Sequence, residues 1–506
     1  MNEVDQLKQE NEILREKLAQ ERSKVADHAS QIAALQEQIK LHLQRRFAAS
    51  NEKLSVNQLG LFNEAESLVS EDEETTSDTS VAVKAHQRTR KPRVSIPDNY
   101  PREEIVYDLP ENEKICPHDG HELRVIGSDD HEQLDIIPAQ VKVLRHKRLK
   151  YACPCCDQHI ITAKKPKQTI EKSIASAGLL AYIATQKYCD ALPLYRQSEI
   201  FKRAGIELDR TNLANWMVRV GELVQPLIKA LTEHLQQQAL LHLDETTLQV
   251  LDEPGKPAQS KSYLWLMASF SEHPALVFHY SPSRSQSVPE MLLSASTQAI
   301  MVDGYEGYQS ACTTNEITRL GCWVHARRKF IEAQKLQPKG KIGKADQGIA
   351  YIRKLYVIEK KLKDRPPDER FEIRQQEAKP IIKQLEKWMD KSLLTVTPTS
   401  AIGKALSYLK NQWLRLIAYL DDGLYPIDNN AAERAIRPFT IGRKNWMFAK
   451  SQAGAVASAN LYSLIETAKA NDVNPYDYLR YVFTELPNLS SDESLDTLLP
   501  WNVMLG

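Results

Sequence analysis

Two short apolar runs that each deliver an acid, followed far along the chain by a third acid in a helical pattern, constrain this sequence more than anything else in it. Asp244 follows Leu241, His242 and Leu243 in LLHLDETTL, Asp303 closes the apolar run of AIMVDGYEGY, and Glu433 lies in PIDNNAAERAIRP. Two strand ends and one helix can carry such groups to a common point. Buried like charges repel strongly, so three converging carboxylates call for divalent cations between them. Hard oxygen ligands favour Mg²⁺ or Mn²⁺, and a pair of such ions about 4 Å apart suits in-line attack on a phosphodiester. The chemistry implied is metal-dependent phosphoryl transfer on nucleic acid, with Asp244, Asp303 and Glu433 as catalytic residues and Mg²⁺ ligands.

The neighbours of these acids sharpen the expectation. Asp244 is followed at once by Glu245 and the hydroxyls of Thr246 and Thr247, and Asp303 by Gly304 and Tyr305, which lets backbone and ring approach a bound strand. PIDNNAAER offers two acids. Asp428 fits an N-cap, whereas Asn429 and Asn430 precede Glu433 by four and three residues and would share its helical face, placed to hydrogen-bond phosphate or metal-bound water. Arg434, Arg437, Arg443 and Lys444 follow closely, suited to phosphate contacts, and Trp446 suits either stacking on an unpaired base or a place in the core.

At 506 residues the chain exceeds one core, and three or four domains are expected. Lys plus Arg number 66 and Asp plus Glu 66, so any attraction for nucleic acid must come from local clustering. Val4, Asn11, Leu18, Val25, Ile32 and Ile39 recur in sevens beside Leu7, Leu14, Glu21, His28 and Leu35, a heptad pattern for a self-associating coiled coil over residues 1–46 or for a single amphipathic helix folded back onto the body. Residues 47–98 read as a linker, acidic in EDEETTSDTS and then basic at Lys84, Arg88, Arg90, Lys91 and Arg93. A small β module, 99–168, contains Cys116 and the C-x-x-C pair Cys153 and Cys156, a spacing used by zinc. The fourth ligand is open among His118, Asp119 and His121.

Residues 169–235 are helical by period, and YRQSEIFKRAGIELDRTNLANWMVRVG has the outline of a helix-turn-helix, with Asp209 as N-cap and Arg210, Thr211, Asn212 and Asn215 on the second helix. A plain helical bundle gives the same pattern. Residues 236–470 begin with three strands in meander order, ending at Asp244, in YLWLMASF and in ALVFHY, then a helix near 288–294 and a fourth strand, the order expected of an RNase H-like α/β domain. A charged helical insertion is expected at about 335–420. After Glu433 one long helix is expected to run past the small residues 453–459, and 471–506 form an appendage. Seven cysteines without a disulfide-framework look, no leader, and no apolar run approaching about 18 residues suggest the cytoplasm and no membrane partner.

Taken together, the heptads, RRFAASNEKL, LFNEAE, CPHDG…YACPCC, LHLDET, MVDGYEGY, GCWVHARRKF, PIDNNAAERAIRPFTIGRKNW and NPYDYL resemble, in order and over nearly the whole length, the insertion sequence 66 family of DDE transposases. The resemblance implies a multidomain α/β protein with an RNase H-like core whose acid triad matches Asp244, Asp303 and Glu433. It implies strand cleavage and transfer at the ends of a mobile element in a bacterial cytoplasm. The expected partners are terminal-repeat and target DNA, a homodimer or larger synaptic assembly, and small accessory proteins of the same element. It places His325 of GCWVHARRKF beside the second acid, orienting the site or the attacking hydroxyl, with Arg327 and Arg328 adding positive charge for DNA. C-x-x-H alone, with no partner pair evident, argues against zinc at Cys322 and His325. One departure stands out: the zinc module of this family reads C-x-x-C in both halves, and here Asp119 replaces the second Cys while Cys155 adds a competing thiol. The alternatives to a transposase are a DNA-binding or end-pairing regulator without catalysis and a related nuclease or resolvase.

Overall fold

The computed structural model describes residues 102–110, 140–152, 160–337, 342–489 and 494–503, with scattered positions between 14 and 39 and between 114 and 134. Two units divide the chain, residues 75–147 and the remainder. In the smaller unit the described residues contain no helix; Arg102 Nε pairs with Glu132 and Lys114 Nζ with Asp108, each at 2.7 Å. The linker 47–98 and the candidate zinc ligands Cys116, Asp119, Cys153 and Cys156 lie outside the described residues.

In the larger unit the described positions between 14 and 39 are helical, with Leu14, Leu18, Val25, Ile32, Leu35 and Ile39 exposed. A short antiparallel ribbon follows, β1 (Lys150–Ala152) against β2 (Ile160–Thr162). Then come α1 (Ala177–Tyr188), α2 (Leu194–Arg203), α3 (Arg210–Leu223) and α4 (Gln225–Gln236). The turn between α2 and α3 passes through Gly205 at φ +83, a conformation glycine adopts without a Cβ penalty. Asp209 is the N-cap residue of α3, but its side chain makes no capping hydrogen bond. Leu213, Trp216, Met217 and Val220 recur every three or four residues and are buried, which leaves Arg210, Thr211, Asn212 and Asn215 on the exposed face.

The sheet is built from β3 (Leu240–Asp252), β4 (Lys261–Ser269) and β5 (Ala275–Ser281), then, after α5 (Ser287–Leu292), β6 (Ala299–Val302), and, after α6 (Gln309–Thr314), β7 (Thr318–Gly321). Strand order is β5-β4-β3-β6-β7, with the first two pairings antiparallel and the last two parallel. β3 does not end at Asp244 as its apolar run suggested. Antiparallel pairing with β4 carries it from His242 opposite Ala268 to Gln249 opposite Lys261, whereas parallel pairing with β6 stops at His242 opposite Met301. Asp244 therefore stands where one neighbour leaves and the other continues.

Helices fill the stretch after β7: α7 (Trp323–Gln334), α8 (Lys344–Leu362), α9 (Pro367–Ile373), a π turn at 374–378, α10 (Lys379–Leu393), α11 (Ala401–Asn411) and α12 (Trp413–Ile417). They enclose a second apolar core around Phe330, Leu355, Leu385, Leu406 and Trp413. Arg374, buried within it, is fully engaged: its Nε and Nη2 fork onto Glu359 and its Nη1 donates to the carbonyls of Tyr419 and Asp422. Strand β6 serves both cores by simple alternation, Ala299 and Met301 facing the helical core and Ile300 and Val302 the main one.

The chain closes with α13 (Asn430–Trp446), β8 (Ala449–Ser451), α14 (Gln452–Ala470) and α15 (Pro475–Glu485). The single long helix expected after Glu433 is thus two. Met447 turns to φ +66, β8 pairs in parallel with the far end of β3, and the Ser451 hydroxyl caps α14 by accepting from Gly454 N at 3.2 Å. Helices α1, α3, α14 and α15 share one continuous apolar core with the sheet, so neither the 169–235 helices nor the last segment encloses a core of its own. Among the described residues no helix is long and apolar enough to cross a membrane.

Candidate active site

Register brings the first two acids together. Leu240, Leu241 and His242 of β3 lie opposite Ala299, Ile300 and Met301 of β6, so two residues further on Asp303 stands beside Asp244. The third acid is delivered by Asn429, which is buried and pins the start of α13 to β3. Its Nδ2 donates to Leu243 O at 2.9 Å, its Oδ1 lies 2.9 Å from His242 Nδ1, and its backbone N–H donates to Cys322 Sγ at 3.3 Å. Glu433 follows in the first turn, its N–H donating to Asn429 O at 3.0 Å.

Electrostatics report the convergence. Burial holds the Asp244 carboxyl well above the usual carboxylate range, and the charges of Glu245, Glu433 and Asp303 push it further up. Glu433, 6% exposed, is raised by burial and by Asp428 and Asp303, against the pull of Arg328, whose Nη2 lies 3.5 Å from Oε2. Its other oxygen, Oε1, has no hydrogen-bond partner although it is buried. His325 Nε2 sits 3.6 Å from that oxygen. Burial and the Arg328 charge push the imidazole down to about 4, so at neutral pH this contact is a neutral ring beside a carboxylate rather than an ion pair. Converging acids with an orphaned, buried oxygen are a set that a divalent cation would complete, and in this sense the residues fit one.

Glu245 belongs to the site, although adjacency to Asp244 is its one mark in the sequence. Tyr308 OH donates to one oxygen and Arg284 forks onto the other, with its Nε at 2.7 Å. The Arg284 guanidinium lies 3.7 Å from the centre of the Tyr305 ring, and Tyr305 OH donates back to Arg284 O. Asp303 Oδ1 accepts from Tyr305 N at 2.8 Å, and Arg319 donates to the carbonyls of Asp303 and Tyr305. The loop after β6 is thereby tied to β3 through Glu245. An acid directly after Asp244 was the only signal.

Other expected residues are placed differently. Arg327 is only 4% exposed and faces the interior, because a helix with an apolar stripe at 323, 326 and 330 turns position 327 inward with it. Arg443 donates through Nη1 to Thr247 O, Thr246 Oγ1 and Thr247 Oγ1, bracing α13 on β3. Asn429, clamped on β3, does not present its amide to a phosphate, and Asn430 Nδ2 is held 3.0 Å from Asp428. Asn429 rather than Asp428 takes the N-cap position, yet the Asp428 carboxylate, also bound by Tyr356 OH at 2.8 Å, still accepts from Asn430 N at 3.0 Å. Trp446 is half-buried, edge-on to Phe439 at 5.4 Å. Arg434 and Lys444 are exposed, and Arg437 is half-buried.

Comparison with known proteins gives four matches along the chain: residues 172–457 to the model described as transposase IS66 family, 113–157 to the zinc-finger binding domain of transposase IS66, 463–501 to the IS66 C-terminal element, and 34–105 to transposase C of IS166 homeodomain. The last overlaps the stretch expected to be a linker. Among similar proteins of Sinorhizobium fredii (strain NBRC 101917 / NGR234), uncharacterized protein y4qI is 33% identical over 429 residues, 82% of this chain and 78% of that protein. Uncharacterized protein y4jD is 32% identical over 420 residues, 80% of this chain and 81% of its own. With its central segment matched from before α1 into α14, and relatives aligned along most of their length, the chain belongs to the IS66 transposase family.

Proposed function

We propose that this protein is a DNA transposase that cuts strands at the ends of an insertion sequence and joins the freed 3′-hydroxyls to target DNA. The observation that carries the reading is the convergence of Asp244, Asp303 and Glu433: the charges of Glu433 and Asp303 push the Asp244 carboxyl up, and the charge of Asp303 pushes Glu433 up. The strand order β5-β4-β3-β6-β7, antiparallel then parallel, supports an RNase H-like core. Asp244, Asp303 and Glu433 would hold two Mg²⁺ or Mn²⁺ ions, which when bound supply an activated nucleophile and stabilise charge on the attacking and leaving oxygens.

The chain's own residues do the rest. Glu245, through Arg284 and Tyr305, fixes the Asp303 loop; Asn429 and Arg443 fix the helix that carries Glu433. His325, neutral and beside Glu433, accepts a hydrogen bond from an incoming hydroxyl and orients it. Arg328, Arg434, Arg437 and Lys444 bind flanking phosphates. The heptad helix supports a homodimer or larger assembly, and Cys116, Cys153 and Cys156, with a fourth ligand among His118, Asp119 and His121, would hold Zn²⁺ in a module that helps grip the terminal repeats. Small accessory proteins of the element and a cytoplasmic setting complete the reading.

Purified protein on a terminal-repeat duplex should nick or join strands only with Mg²⁺ or Mn²⁺. Full activity in Asp244→Asn would overturn the assignment.

A further inference from the structure

We propose that Cys322, His325 and Glu433 form a binding site for one thiophilic divalent cation, Zn²⁺ or Cd²⁺, and that this ion shuts the cleavage site by drawing Glu433 out of it. The inhibitory half rests on the function proposed above; the binding half does not. One donor atom from each of the three residues lies within 4.8 Å of the other two. The arrangement is local in origin: Cys322 is the N-cap residue of α7 and His325 lies one turn in, so C-x-x-H sets thiol and imidazole on one end of one helix. Glu433 arrives from α13, docked there by the Asn429 N–H that donates to the same sulfur. An amide donor to sulfur is the kind of outer contact that steadies a metal-bound thiolate.

Two buried atoms in the cluster lack partners, Glu433 Oε1 and His325 Nδ1, and Glu433 is itself more than nine-tenths buried. Thiolate, imidazole and carboxylate are the donor set zinc takes, with a fourth place for water, whereas Mg²⁺ avoids sulfur. Tetrahedral zinc wants its ligand atoms roughly 3.5 Å apart, so the cluster closes by about 1 Å, a movement within reach of side-chain rotation. The sequence spoke against this site because C-x-x-H had no visible partner. The partner is a carboxylate more than a hundred positions later, as the Arg328 to Glu433 pairing across 105 residues also shows. Since the catalytic cations need the same carboxylate, the two occupancies exclude each other.

The test is titration of the full-length protein with ¹¹³Cd²⁺, read by cadmium NMR, in which shift reports the number of sulfur ligands. Wild type should show a resonance of the one-sulfur class, separate from any multi-sulfur signal of the Cys116, Cys153 and Cys156 module, and both Cys322→Ser and His325→Gln should lose it. His325→Gln retains the buried thiol and so decides the matter if Cys322→Ser fails to fold. No one-sulfur resonance in wild type, or one that survives both substitutions, overturns the proposal. In the cleavage assay, tenfold more Mg²⁺ should raise the Cd²⁺ needed for half inhibition about tenfold; inhibition indifferent to Mg²⁺ overturns the exclusion. Cadmium bound here by a protein that never cleaves DNA would sink the transposase reading and leave the site standing.

Discussion

Asp244 is half-buried and within reach of three other acids, a position in which its carboxyl holds a proton unless a cation offsets the repulsion. Replacing it by Asn keeps the shape and removes the charge, so the fold survives while cation binding fails. Cleavage should drop by on the order of 10³-fold, the effect of losing several kcal/mol of metal-borne charge stabilisation, measured as initial nicking rate at saturating Mg²⁺. Glu245 carries a different burden. Its side chain is 4% exposed and its partner Arg284 36%, so Glu245→Gln leaves a half-screened guanidinium without its counter-ion and weakens the hydrogen bonds that Arg284 and Tyr308 donate to the carboxylate. A loss of about 2 kcal/mol in unfolding free energy is expected, together with weaker Mn²⁺ binding as the Asp303 loop loosens. Unchanged Mn²⁺ affinity in a destabilised Glu245→Gln would show that this network holds the fold and not the site.

Elements reach the site only because others close around them, and α14 shows how. Strand β5 is an edge of the sheet, with outward N–H groups that need partners. Ser463 Oγ accepts from Phe278 N at 2.8 Å and Thr467 Oγ1 from Leu276 N at 3.0 Å, so the helix satisfies the edge with hydroxyls one turn apart. Ser463→Ala should cost about 1–3 kcal/mol by leaving that buried N–H unpaired, seen as a lower midpoint in urea with unchanged slope. On the other side α14 crosses α3 where a Cβ on Gly221 would lie 2.6 Å from Ala457 Cα, and Gly221→Ala should cost about 1–3 kcal/mol by forcing the helices apart. Such packing explains what the sequence showed and what it hid. Strand runs at 264–268, 275–280 and 299–302 were legible because apolar side chains buried on both faces leave a continuous apolar run. The break of α13 from α14 was not, since the small residues 453–459 after it read as helix and only pairing of β8 with β3 makes a strand there. The acids were legible as local motifs. Their supports, Asn429, Glu245 and Arg443, were not, because each acts on a residue dozens to hundreds of positions away and leaves no periodic trace.

At the scale of the whole molecule, the acids stand between two cores. Ile427, just before α13, packs in the helical core, while Ala432, Ile436 and Phe439 on α13 pack in the main one. Charge repulsion at this junction therefore acts on the stability of both. Asp244, Glu245 and Glu433 have carboxyls raised in the folded protein above their ordinary values of 3.8 and 4.5. A raised folded value means the folded state holds its proton longer than the unfolded chain does. The contribution is then fully present below the ordinary values and is lost as pH rises through the folded ones. Without divalent cations the protein should become less heat-stable as pH climbs from about 4 into the neutral range. Mg²⁺ binds the ionised acids, so its stabilisation should grow over the same window, reaching about 2.7 kcal/mol at a hundred times its dissociation constant. Thermal unfolding at several pH values, with Mg²⁺ and with chelator, measures both slopes. In Asp244→Asn the chelated protein should lose much of the pH dependence and the Mg²⁺ shift should vanish. A Mg²⁺ shift of wild-type size in that variant would place the cations elsewhere and detach the buried acids from the chemistry.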